Sequence, residues 1–317
     1  MEAKKKKQIT IITPLLNEEE NVRIFYDKTS SAVQKIPDCK FLFMYVDDGS
    51  GDNSWKEIVE LAKVKRNVSG IKLSRNFGSH TALLAGITLA LKNKNTDAMI
   101  LTTIDLQNPS ELVKDMVVKF QKEVRVVWGI RAKREDRGIQ PMFSALYHNL
   151  VKRFALNNMP EGGVDFGLID RKVAQDVIDS QEKNTSLFGL ILWLGYQQEF
   201  IPYTRKKIPG RKSRWSLVRK IKLVIDTFVS FSYAPIWLVT YLGFSISALG
   251  FIYGLIIALR RIIYGTKIEG WSSLMLVTLL LFGILFIMLG IVAEYLWRTF
   301  DVSRKRPIYL IDKEINL

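Results

Sequence analysis

Apolar and β-branched runs alternate with amphipathic stretches through the first 200 residues, and this alternation predicts strands and helices in turn. Residues 9–13 form a short β-branched run that ends at Pro14. Residues 17–30 carry helical periodicity with acids in the first turn, where a helix N-terminus favours them. Residues 41–46 are apolar and stop at the turn-forming DDGSGDNS. Helical patterns follow at 55–65 and 81–91, and strand patterns at 70–73, 99–104 and 125–128. Short strands separated by helices predict an α/β fold, a mostly parallel Rossmann-like sheet with helices on both faces. Ligands of such sheets bind beyond the carboxyl ends of the strands. Three expected strand ends carry polar clusters: Asn17-Glu18-Glu19, Asp47-Asp48-Gly49-Ser50 and Asp105-Leu106-Gln107.

The pattern changes after residue 204. Residues 233–259 run for 27 positions without a charge, and residues 271–293 for 23. A helix needs roughly 20 apolar residues to cross a bilayer, so two transmembrane helices are expected. Residues 142–156 and 215–228 are amphipathic. The first fits either a core-facing or an interface helix. The second leads into the first span, and its basic residues suit anionic headgroups at a bilayer surface.

Charge sets the orientation. The chain holds 46 Lys and Arg against 31 Asp and Glu, a net +15. Residues 205–222 hold nine basic residues and no acid. That block abuts a membrane span, so an anionic lipid surface explains it better than nucleic acid. Arg298, Arg304, Lys305 and Arg306 follow the second span, whereas the connecting loop is weakly charged. The heavier positive flanks stay inside, which places both termini in the cytoplasm of a multi-pass plasma-membrane protein. The opening MEAKKKKQITIITP lacks the apolar length and cleavage site of a signal peptide. The expected division is a cytoplasmic catalytic domain at 1–204, a basic loop and interface helix at 205–232, a hairpin at 233–297 and a cytoplasmic tail at 298–317. A single cysteine, Cys39, and two histidines, His80 and His148, exclude a disulfide framework and a Cys/His zinc site. A divalent metal would have to sit on carboxylates.

Six motifs occur in order: TPLLNEEENV, VDDGSGDNSW, LSRNFGSHTALLAG, IDLQNPSEL, GIRAKRED and VDFGLIDRKV. Together with the paired spans and the terminal RKRPIYLI they resemble the family 2 inverting glycosyltransferases of GT-A fold. Within these, the chain is most similar to polyprenyl-phosphate glycosyltransferases, such as bactoprenol glucosyltransferases and dolichol-phosphate mannose enzymes. The resemblance implies transfer from a nucleotide-sugar, a UDP-sugar such as UDP-glucose, to undecaprenyl phosphate. Two other readings fit the same residues: a membrane-tethered nucleotide-sugar-binding protein without transfer activity, and a transferase to a different lipid acceptor. No QxxRW motif follows residue 165, which argues against a processive synthase.

The same resemblance assigns roles. Pro14, Asn17 and Glu18 match a motif that contacts the nucleotide. Asp47 and Asp48 match the acidic pair at the base and ribose, although Asx-turns are an alternative for both. Ser74, Arg75 and Asn76 match a loop beneath the nucleotide, or a plain helix entry. His80, at the head of an apolar helix, reads as packing or capping. Asp105 matches the second acid of a DxD motif and would hold Mg²⁺ or Mn²⁺. Thr103 stands at the first acid position, and Gln107 lies two residues on. Arg131 matches an arginine that reaches the diphosphate, and Arg211, Lys212 and Arg214 a mobile basic loop over the phosphates. Asp165 matches an aspartate near the acceptor, so Asp105 and Asp165 form the implied catalytic pair. Family members often carry Arg where Gly167 stands. The related enzymes assemble through their membrane helices, which implies a homo-oligomer such as a tetramer.

Overall fold

A computed structural model describes residues 6–104, 111–131, 163–180, 186–204, 229–264 and 270–317, with Thr227 and part of 149–160. β1 (Lys7–Leu15) is rich in β-branched residues and buried at every position but Lys7. A strand covered on both faces reads as a continuous apolar run, which is why no alternation was visible there. β1 pairs in parallel with β2 (Cys39–Asp47) on one side and β4 (Thr96–Leu101) on the other, and β2 pairs in parallel with β3 (Val68–Leu73). Strand order therefore reverses beside β1, and the crevice at such a switch point is where ligands bind.

Helices α1 (Asn21–Val33), α2 (Ser54–Val64) and α3 (Ser79–Lys92) make the crossovers. α1 packs with α2 and with α4 (Leu112–Gln121), whereas α3 packs with α5 (Arg171–Asp179) and α6 (Leu187–Trp193). The sheet is thus sandwiched between two helix layers. β6 (Val164–Asp170) runs antiparallel to β4 and to β5 (Val126–Arg131), and β7 (Gln198–Tyr203) pairs in parallel with β5. β8 (Ile311–Ile315) pairs antiparallel with β3. The eight strands lie in the order β7-β5-β6-β4-β1-β2-β3-β8.

Several boundaries differ from the sequence pattern. Asn17 has a φ of 52°, and Asn21 N–H bonds the Glu18 carbonyl, so the acids of 18–20 form a turn and α1 starts after them. β4 starts and ends earlier than expected, because Thr96 already pairs with Gln8 of β1. Residues 298–317, expected as a tail, contain the end of a long helix and a strand of the sheet.

The chain divides into two units, 1–224 with 307–317, and 225–306. The second contains α7 (Ala234–Tyr264) and α8 (Trp271–Ser303), each long and apolar enough to cross a membrane. Their large apolar side chains, among them Phe244, Phe251, Leu274 and Phe286, are exposed. In α8, Arg298 bonds Glu294 one turn earlier at 2.9 Å and the Ser230 hydroxyl at 3.1 Å.

Candidate active site

Three loops interlock beyond the carboxyl ends of β1, β2 and β3. From the first, Asn17 donates its N–H to Ser50 Oγ at 2.9 Å, and its Oδ1 accepts the Gly51 N–H at 2.9 Å. Glu18 N–H bonds Ser54 Oγ at 2.9 Å, while its carboxylate accepts from Asn21 Nδ2 at 2.6 Å. Glu19 accepts the Asn53 N–H at 2.8 Å. The positive φ of Asn17, a residue that tolerates the left-handed region, lets both its main chain and its side chain face the second loop.

Asp47 and Asp48 are adjacent and both buried, yet they do different things. Asp48 takes the Phe77 N–H on Oδ1 at 2.7 Å and the Gly78 N–H on Oδ2 at 2.9 Å. Burial pushes its pKa up, the two amides oppose this, and the Asp47 charge adds to the rise. Asp48 thus ties the second loop to the third. Gly49 has φ 75° and faces the same loop so closely that a Cβ would stand 2.5 Å from the Arg75 carbonyl carbon. Asp47 Oδ1 accepts the Ser50 N–H at 2.7 Å. Its Oδ2 is buried and has no hydrogen-bond partner among the described residues. Lys72 Nζ stands 3.9 Å away and donates to the Ser50 carbonyl at 2.9 Å. Thr13 Oγ1, in β1, is a second such buried atom. A buried oxygen left without a partner is costly, so each of these atoms needs an explanation that the surrounding protein does not supply.

On the other side of the sheet, Arg131 is the last residue of β5 and pairs with Tyr203. Asp165 lies in β6, where the register passes from Gly129↔Phe166 to Ile130↔Val164 and skips it. At Gly167, an added Cβ would stand 2.5 Å from Trp128 Cε3. The indole, anchored by Nε1–H to Gln198 at 2.7 Å, occupies the space that a side chain at 167 would need. Phe188 meets Trp128 edge-on with centroids 5.6 Å apart, and His80 at 5.4 Å. His80 Nδ1 accepts the Leu187 N–H at 3.2 Å, one of the free amides opening α6. His80 therefore both packs and caps, and burial holds its pKa down at about 4.

Residues 10–178 match the sequence model of glycosyl transferase family 2. The chain belongs to that family. It is a glycosyltransferase. It is 30% identical over 311 residues to the uncharacterized glycosyltransferase YkcC of Bacillus subtilis, covering 98% of this chain and 95% of that protein. It is 29% identical to the prophage bactoprenol glucosyl transferase homolog of Escherichia coli K12, covering 96% and 99%. Among solved structures, a mannosyltransferase from Pyrobaculum calidifontis aligns with a TM-score of 0.49 at 15% identity, over 70% of this chain and 63% of that one.

The structure brings Pro14, Asn17, Glu18, Asp47 and Asp48 to one end of the sheet and places Arg131 and Asp165 on the adjoining strands β5 and β6. Asp105 and Gln107 lie outside the described residues, as do Arg211, Lys212, Arg214 and most of 142–156 and 215–228. Among the described residues no three His, Cys, Asp or Glu side chains converge on a metal site. Sequence reasoning placed Ser50 in a strand-end polar cluster but missed Lys72 and Ser54. Their signal was slight: a lysine just before the Leu-Ser-Arg-Asn segment, and a hydroxyl inside an otherwise acidic turn.

Proposed function

We propose that this glycosyltransferase moves a sugar from a UDP-sugar, such as UDP-glucose, to undecaprenyl phosphate or a related polyprenyl phosphate at the cytoplasmic face of a membrane. The observation that carries the reading is the extent of the likeness. Relatives named bactoprenol glucosyl transferase align over 96% and 97% of this chain, so the match includes the basic block and both apolar helices.

In this reading an acceptor phosphate oxygen attacks the anomeric carbon opposite the diphosphate. The bond to the diphosphate oxygen breaks, UDP leaves with the electron pair, and configuration inverts. A phosphate monoester is already largely ionised at neutral pH, so little base strength is needed. Asp165 then orients the acceptor. Asp47 Oδ2 takes a donor group of the base, and Pro14, Asn17, Glu18 and Asp48 build the floor beneath the nucleotide. Gln107 and Arg131 approach the diphosphate, and Arg211, Lys212 and Arg214 close over the phosphates, which guanidinium groups suit through bidentate bonding. Asp105 would hold Mg²⁺ or Mn²⁺, and the bound ion would neutralise charge on the leaving group. α7 and α8 cross the bilayer with both termini in the cytoplasm, and the chain assembles as a homo-oligomer.

Membranes containing the protein, incubated with undecaprenyl phosphate and a panel of radiolabelled nucleotide-sugars, test this. Label from one UDP-sugar should pass into the organic phase as an acid-labile lipid. UDP binding without transfer from any donor would leave only a binding function.

A further inference from the structure

β8 reaches the loop that completes the donor platform. Ser74 donates its N–H to the Leu310 carbonyl at 2.9 Å. β8 then pairs with β3 from Leu73↔Ile311 to Gly70↔Ile315. Beyond it, Asn316 adopts φ 54° and donates from Nδ2 to the Ala62 and Val68 carbonyls at 2.9 and 3.2 Å. Ile315 packs against the core. The strand is therefore pinned at both ends, at the start of β3 by Asn316 and at the end of β3 by Leu310. The loop held at Ser74 is the one that presents the Phe77 and Gly78 amides to Asp48, and Asp48 N–H in turn bonds the Leu15 carbonyl at 2.9 Å. A continuous run of main-chain and carboxylate bonds thus leads from Leu310 through Ser74–Gly78 and Asp48 to the end of β1.

We infer that residues 310–316 are a positioning element for the nucleotide-sugar donor, acting through the Ser74–Gly78 loop on Asp48; this rests on the donor proposed above. Pre-organising that loop lowers the cost of ordering it when the donor binds. Its loss therefore falls on donor affinity and leaves the chemical step nearly untouched.

Three variants are compared with wild type. One ends after Arg306. Ser74→Pro removes the donated N–H while keeping β8, and the preceding strand residue tolerates a following proline. Asn316→Ala removes the distal pin. The readouts are UDP affinity by calorimetry, donor KM and kcat in transfer, and amide exchange at Phe77 and Gly78. Truncation and Ser74→Pro should weaken UDP binding about tenfold, the scale of one lost hydrogen bond. Donor KM should rise with kcat nearly unchanged, and both amides should exchange faster. Asn316→Ala should give the same pattern more weakly, and a peptide of residues 307–317 should restore the truncated protein. If the truncated chain does not fold, the two substitutions carry the test. Wild-type UDP affinity with unchanged exchange at Phe77 and Gly78 in both overturns the inference. A wild-type protein that binds no UDP overturns the donor reading instead.

Discussion

Lys72 Nζ lies 3.9 Å from Asp47 Oδ2, and the two residues are direct neighbours across the β2–β3 pair. The lysine side chain stands beside a buried carboxylate whose second oxygen has no hydrogen bond among the described residues. Asp47→Ala should therefore weaken UDP binding by about 1–3 kcal/mol, the cost of leaving a buried partner unmet. Lys72→Met should weaken it less, by releasing the Ser50 carbonyl. Calorimetric titration with UDP measures both, and unchanged affinity in Asp47→Ala removes Asp47 from the nucleotide site.

Asp105→Asn removes the carboxylate proposed to hold the divalent ion. Transfer should fall at least about a hundredfold, and wild-type transfer should stop in excess EDTA and return with Mg²⁺ or Mn²⁺. Full activity in EDTA would end the metal proposal.

Asp165 sits at a break in the β5–β6 register, on a strand other than those carrying Asp47 and Asp48. Asp165→Ala should abolish transfer while the UDP dissociation constant stays near wild type, because chemistry and donor binding draw on different contacts. If UDP binding is lost as badly as in Asp47→Ala, Asp165 belongs to the donor side.

His80 is held near pKa 4 by burial, against 6.5 when free. The folded state thus favours the neutral ring, and His80 contributes stability fully above about pH 6.5 that is lost as pH falls through about 4. His80→Asn keeps an acceptor for Leu187 but cannot titrate. Between pH 7 and 4.5 its melting temperature should fall less steeply than that of wild type. Parallel curves would show that His80 does not drive the acid loss.

Gly167→Ala places a Cβ within 2.5 Å of the Trp128 ring, and overpacking of this kind costs about 1–3 kcal/mol. Thermal unfolding should show the loss, and Trp128→Leu in the same chain should recover part of it. Gly167→Arg should be worse in both backgrounds, so the missing arginine cannot be restored by one substitution.

The central strands were legible because β-branched runs need no tertiary information to announce themselves, and the polar ends of β1 and β2 followed from where those runs stopped. What escaped depended on partners distant in sequence. β8 reads IDKEI, and Asp312, Lys313 and Glu314 are exposed on the sheet edge, so no apolar pattern betrayed it. The register break at Asp165 follows from β5, and the constraint on Gly167 follows from Trp128. Asp48 was expected at the ribose. What the sequence did not show is that its two oxygens also accept the Phe77 and Gly78 amides, contacts made across a loop whose conformation Gly49 and Gly78 permit with positive φ.

The pairing of β8 with β3 also fixes an order of events during synthesis. The ribosome makes β3 early and β8 only after both apolar helices. Until then the outer side of β3 is an open row of amides and carbonyls, the kind of edge that recruits wrong partners. A nascent chain stalled between the two helices would carry its catalytic sheet with that edge bare, and one that has passed residue 315 can cover it. Closure of the sheet is therefore a record that both apolar helices have already left the ribosome.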